Sequence, residues 1–277
     1  MRREASVPAR INIIGEHTDH FGGLSLPFAS QHRLHLIANS RSEGFSGEET
    51  VVRLWKTAGG WPADLEVKSQ IPVGAGMSSS AALCVAVVLC ARGMGDKMET
   101  CTKAQRLEHQ VIGSSCGLMD QIAITHASRG QAVFIDFSDL SVDNFHIPED
   151  WCFKLVDTGI RRNLRDTDYS GPMTSSHAGS THALKESERV REALNCDAPR
   201  LGKLLNQSHA SLRDVIRVST PEIDAIVRDI QATRGVYGAR LMGGGFGGMI
   251  LALVENDQVL HGKQIVPSEP AFFHEEL

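Results

Sequence analysis

Eleven apolar residues in a row, Ala81 to Ala91, follow the segment Pro72-Val73-Gly74-Ala75-Gly76-Met77-Ser78-Ser79-Ser80. A helix made of such a run is apolar on every side, so it belongs in the middle of a core with other elements packed around it. The run is too short to cross a bilayer, which takes about 20 residues. The three serines are the residue type that caps a helix N-terminus, so the sequence predicts capping there.

The chain has 277 residues, enough for about two domains and a core that needs no disulfide or metal staple. Composition shifts near Pro148, which predicts units over 1–148 and 149–277. The pattern predicts strands over 9–14, 24–28, 33–38, 51–55, 132–137 and 152–156. It predicts further helices over 102–113, 118–127, 183–194, 200–216 and 221–233. A glycine turn, Gly243 to Gly248, leads into a last predicted strand over 249–254. Residues 166–182 are rich in Ser, Thr, Gly and Asp and read as a mobile loop. Mixed elements without regular βαβ alternation give an α+β class.

Lys and Arg number 28 against 33 Asp and Glu, a formal net charge of −5. That balance argues against nucleic acid or an anionic membrane as the main partner, while leaving room for a small anion in a local cationic pocket. The six cysteines include no C-x-x-C pair and read as free thiols of a reducing compartment. No apolar stretch follows Met1 to Pro8, so no secretory signal is read there and the expected location is cytoplasmic.

Three segments carry chemistry. Gly74 and Gly76 let the backbone approach a ligand, and the helix behind them presents free N–H groups with a partial positive charge. Together they form a cradle for an anion, phosphate being the obvious one, and the serine hydroxyls add donors and an oxygen ligand for Mg²⁺. A capped core helix reached by a flexible loop has the same pattern. No Lys follows the glycines, so the loop is not of the Walker A kind. The second segment, Arg10-Ile11-Asn12-Ile13-Ile14-Gly15-Glu16-His17-Thr18-Asp19-His20, ends an apolar strand with a guanidinium, two carboxylates and imidazoles. Carboxylates accept paired hydrogen bonds from vicinal sugar hydroxyls. A solvated turn, or a metal site of His17, Asp19 and His20, reads from the same residues. In the third, Cys116-Gly117-Leu118-Met119-Asp120-Gln121, preceded by Glu108, Asp120 opens a helix either as a dipole partner or as a reactive carboxylate.

In this order the segments resemble the GHMP kinases, and within them the galactokinase family. Asn206-x-Ser208-His209-x-Ser211-Leu212-Arg213 and the stretch Gly235 to Gly248 add to the resemblance, which spans nearly the whole chain. It implies a two-domain GHMP kinase-like architecture with a ferredoxin-like C-terminal half and the active site in the cleft between the halves. The implied reaction transfers the γ-phosphoryl of ATP, with Mg²⁺, to the C1 hydroxyl of galactose. Asp120 is implied as the base, with Arg10 against it and the transferred phosphate. Glu16, His17, Asp19 and Tyr169 are implied as sugar contacts. Gly74, Gly76, Ser78, Ser79 and Ser80 would wrap the phosphates, Ser80 and Glu108 would hold Mg²⁺, and Gly244 to Gly247 would line the site from the second half. The implied partners are a small sugar and ATP, without nucleic acid or membrane, in a monomer or weak homo-oligomer. A kinase for arabinose or a heptose, or a non-catalytic sugar sensor, are the alternatives. Departures from the family pattern are Ala9 in place of a usual Gly, His20 in place of a usual Tyr, shortening between residues 40 and 70, and the stretch Ser170 to His182.

Overall fold

The computed structural model of the protein describes residues 1–161 and 177–276. Strands β1 (Arg2–Asn12), β3 (Pro27–Ser40), β4 (Ala63–Ser69) and β10 (Phe272–Glu276) form an antiparallel sheet in the order β10-β1-β3-β4. The pairing of β1 with β3 shifts register between Pro8 and Arg10. Bulges of this kind re-aim the side chains that follow them, here Arg10. Ala9 sits at the shift, fully buried and without a positive φ, so the missing glycine costs the backbone nothing.

The apolar run forms α2 (Ser79–Arg92), which lies across β1 and β3 and is buried from Ala81 to Ala91 except for half-buried Leu83. On its other sides it meets α3 (Lys97–Leu107) and α4 (Met119–His126). A second sheet of β2 (Leu24–Ser25), β5 (Gln131–Asp136) and β6 (Ser141–His146) runs in the order β2-β5-β6. The third, of β7 (Cys152–Asp157), β8 (Val236–Leu241) and β9 (Met249–Val254), runs β7-β9-β8, and a single bridge from Phe153 to Ile265 extends it. Helices α6 (Ala198–Ser211) and α7 (Pro221–Ala232) pack on β8, and α5 (His177–Ala193) packs on α6 and β2.

Three expectations need correction. Residues 51–55 are not a strand but the centre of α1 (Glu49–Thr57). Val51, Leu54 and Trp55 are buried at helical spacing, and the Glu48 carboxylate accepts from Thr50 N (2.9 Å) and Val51 N (3.2 Å) to start the helix. Of the loop expected over 166–182, residues 177–182 are already the first turns of α5, and the remainder, Tyr169 included, lies outside the described residues. The unit expected over 149–277 does not keep its whole length to itself. Its last strand, β10, pairs with Arg2 to Ser6 and is pinned by Arg3–Glu275 (2.9 Å) and Arg2–Glu276 (3.2 Å). The apolar core also crosses residue 148, with the Phe28 and Phe153 rings 5.8 Å apart. Among the described residues no single helix is long and apolar enough to cross a membrane.

Candidate active site

A cavity of about 470 Å³ opens where the N-terminus of α2, the turn after β1 and the start of α4 meet. Arg10, Glu16, His17, Asp19, Gly74, Gly76, Ser78, Ser79, Ser80, Glu108 and Asp120 all line it, so the expected catalytic, sugar, phosphate and metal residues that are described reach one space. From the second half Gly243 and Gly244 join them, whereas Gly245, Phe246 and Gly247 do not.

The loop before α2 is shaped by left-handed residues. Gly76 has φ +72°, and a Cβ there would stand 3.0 Å from the Met242 carbonyl oxygen, so glycine lets the loop lie against the second half. Ser78 also takes a left-handed conformation (φ 61°). This corrects the expected capping: the Ser78 side chain makes no cap hydrogen bond, and its buried Oγ has no hydrogen-bond partner. The first amides of α2 therefore face the cavity without a side-chain cap, as an anion cradle requires.

Arg10 and Asp120, 110 positions apart in the chain, form an ion pair at the cavity floor. Arg10 Nε donates to Asp120 Oδ1 at 2.7 Å, Nη2 stands 2.6 Å from the same oxygen, and Nη1 donates to Gly76 O at 3.1 Å. One guanidinium thus ties β1 to the loop before α2 and to the first turn of α4. The Arg10 side chain is 6 % exposed and that of Asp120 22 %, so the carboxylate keeps an open side.

Glu16 is buried, and its Oε1 accepts from Gly243 N (2.7 Å) and Arg240 Nη1 (3.2 Å). Burial alone would raise its pKa, but Arg240, then Arg10, outweigh it and hold the group at about 2 against a usual 4.5. Asp19 is the opposite case: burial raises its pKa, His20 offsets part of this, and Asp120 and Glu16 push it further up. Gly117 packs directly on Asp19, where a Cβ would stand 1.9 Å from Oδ2. Thr18 Oγ1 donates to Gly15 O and Leu24 O, both at 3.0 Å, and closes the turn.

A group whose folded pKa is depressed contributes stability above its unfolded value and loses it as pH falls through the folded one. Moving Glu16 from 4.5 to about 2 is worth about 3 kcal/mol, present above pH 4.5 and lost towards pH 2. The melting-temperature gap between the wild type and Glu16→Gln is therefore expected to narrow over that range. Glu108 titrates with the opposite sign but is common to both proteins and cancels in the gap, whereas Asp19 loses the upward push of Glu16 in the variant, a smaller change than the loss of the Glu16 carboxylate itself. A gap that stays flat with pH would contradict the assignment.

Ser80 Oγ donates to Glu108 Oε1 at 2.6 Å, and Gln121 Nε2 donates to Oε2 at 2.9 Å. Glu108 is buried, which raises its pKa; the Ser80 bond opposes that and Asp120 adds to it. A hydroxyl and a buried carboxylate form a hard-oxygen pair that fits Mg²⁺, an ion commonly held by one or two carboxylates together with substrate phosphates. Among the described residues no three His, Cys, Asp or Glu side chains converge on a metal site, so His17, Asp19 and His20 do not make one.

Two contributors had no role assigned from sequence. Gln121 orients Glu108, and Arg240 holds Glu16 while donating to Ile13 O (2.8 Å), Leu241 O (2.9 Å) and Asn12 O. The signal for Arg240 was a lone arginine in the otherwise apolar end of β8, Ala239-Arg240-Leu241.

Comparisons with known proteins bear on the family and the fold. The family description "GHMP kinases N terminal domain" matches residues 48–128, "GHMP kinases C terminal" matches 186–262, and "Galactokinase galactose-binding signature" matches 3–40. A galactokinase of Thermotoga maritima is 31% identical over 90% of this chain and 89% of its own length. One of Chloroflexus aurantiacus is 30% identical over 93% and 85%. The crystal structure of Lactococcus lactis galactokinase complexed with galactose superposes with a TM-score of 0.80 at 23% identity, covering 99% of this chain and 92% of that one. A mevalonate kinase structure reaches 0.70 at 17% identity over 92% of both chains. At these identities the structural likenesses carry the fold.

Proposed function

The chain belongs to the GHMP kinases, in their galactokinase family, and from that premise we propose that it transfers the γ-phosphoryl of ATP to the C1 hydroxyl of galactose, giving galactose 1-phosphate and ADP. The observation that carries the reading is the Arg10–Asp120 pair bonded to Gly76 O, because it joins the sugar side, the phosphate loop and a reactive carboxylate within one cavity.

In the proposed reaction the C1 oxygen forms a bond to the γ-phosphorus as the bond to the β–γ bridging oxygen breaks. The hydroxyl proton passes to Asp120, and ADP leaves. Phosphoryl transfer of this kind is achieved mostly by positioning and charge stabilisation. Arg10 holds Asp120 and faces the transferred group. Gly74, Gly76 and the first amides of α2 cradle the phosphate oxygens, with Ser78, Ser79 and Ser80 as further donors. Ser80 and Glu108 would hold Mg²⁺, which when bound supplies neutralisation of phosphate charge. Glu16, His17 and Asp19 read sugar hydroxyls. We place the enzyme in the cytoplasm, acting on a small sugar and ATP without nucleic acid or membrane, as a monomer or weak homo-oligomer with its site in the cleft between the halves 1–148 and 149–277, β10 being lent to the first half.

A coupled ADP-release assay over a panel of hexoses and pentoses tests the proposal. Galactose is expected to give the highest kcat/KM, with the phosphate on C1 of the product. Release favouring arabinose or a heptose would move the substrate assignment, and absence of turnover with every sugar would favour a sensor.

A further inference from the structure

The turn after β1 is made in the first half of the chain but fastened by side chains of the second, and α5 supplies two of the fasteners from deep burial. Glu186 is fully buried; its Oε1 accepts from Gly15 N (3.1 Å) and Ser208 Oγ (2.5 Å), and its Oε2 accepts from Arg189 Nη1 (2.5 Å). One helical turn earlier His182, also fully buried, places Nε2 3.0 Å from Glu16 O and Nδ1 2.7 Å from Ser211 Oγ. A carbonyl only accepts, so Nε2 carries the proton. The spacing of four puts both side chains on one face of α5, turned to the same loop.

These two bonds take the N–H of Gly15 and the C=O of Glu16, the peptide groups nearest the Glu16 side chain on that loop. The backbone there does not hold its shape unaided. Gly15 has φ +100° and His17, a non-glycine, has φ +57°. Left-handed non-glycine residues persist where their surroundings over-determine them. Rotating either peptide would swing Glu16 and His17 out of the cavity.

We infer that Glu186 and His182 are positioning residues for sugar recognition, fixing the backbone of residues 15–17 so that the hydroxyl-reading groups point into the cavity. The inference rests on the reading of this turn as sugar-binding. Neither residue lines the cavity, so each acts through the turn. A carboxylate and an imidazole are expensive to bury, and here their hydrogen bonds go to this loop, to the α6 serines that brace them and, for Glu186, to Arg189 on its own helix.

The test uses the full chain, with galactose titrated by calorimetry in the absence of nucleotide and a non-hydrolysable ATP analogue titrated separately. Glu186→Met and His182→Phe remove the bonds at similar volume and strand a buried peptide group. Each is expected to weaken galactose about tenfold or more while the analogue stays within about twofold. Glu186→Gln keeps an acceptor and His182→Gln can keep a donor, so these should return galactose affinity to within about threefold of wild type. Unchanged galactose affinity in the Met and Phe variants, or loss of both ligands together, overturns the inference. Should those variants fail to fold, Ser211→Ala removes only the hydroxyl at Nδ1. A several-fold loss for galactose alone supports the inference, and unchanged affinity overturns it. Wild-type protein that binds no galactose would instead defeat the reading of the site itself.

Discussion

Asp120→Asn is expected to lower turnover by about 10²–10⁴-fold or more, with the affinity for an ATP analogue within about twofold of wild type. The amide has the shape of the carboxylate and can still accept from Arg10 through Oδ1, so the floor of the cavity keeps its geometry. What it loses is the capacity to take a proton. A sugar hydroxyl is a very weak acid, and the bond from its oxygen to phosphorus is completed only if the proton has somewhere to go. The phosphate cradle, formed by Gly74, Gly76 and the amides of α2, lies on other elements and is untouched. Coupled ADP release in the presence of galactose reads the first quantity and analogue titration the second. Near-normal turnover would remove Asp120 from the chemistry. Equal losses in turnover and nucleotide affinity would make it a structural residue.

The parts of the site that are local in sequence were legible as such. The glycines, serines and apolar run of 72–91 announce a loop, a helix N-terminus and a buried helix, and the cluster 16–20 stands at the end of an apolar strand. Elements whose identity depends on distant partners were not legible. Val51 to Trp55 reads as a short apolar run, and only the helical spacing of its buried positions and the Glu48 cap make it α1. Strand β10, Phe272-Phe273-His274-Glu275-Glu276, has a largely exposed face and exists because β1 offers it an edge. Ser78 fits a cap by residue type, yet its left-handed backbone turns the hydroxyl away. The fasteners Arg240, Glu186 and His182 lie 166 to 227 positions from the residues they hold, a separation that no periodicity or motif spacing encodes.

Arg240 is where the stability of this arrangement concentrates, and Arg240→Met is expected to cost about 3–5 kcal/mol. Methionine matches the length of the arginine stem, so packing is largely kept and the loss is electrostatic. Glu16 would remain buried with Gly243 N as its chief donor, while Ile13 O, Asn12 O and Leu241 O would each lose a donor. Against a total of about 5–15 kcal/mol this is a large share, and it corresponds to a fall of about 10 °C in melting temperature. The pH dependence gives the sign of the cause. With Arg240 gone, burial dominates at Glu16 and its folded pKa rises, so the deficit is greatest near neutral pH and shrinks as the group protonates in acid. Adding Glu16→Gln removes the uncompensated charge, so the double variant should be more stable at neutral pH than Arg240→Met alone. Such recovery means the two residues act as a pair, because independent losses would add. If the double variant melts lower than Arg240→Met at neutral pH, the arginine serves the carbonyls of the β1 end and not the carboxylate, and Glu16 must owe its low pKa to Arg10.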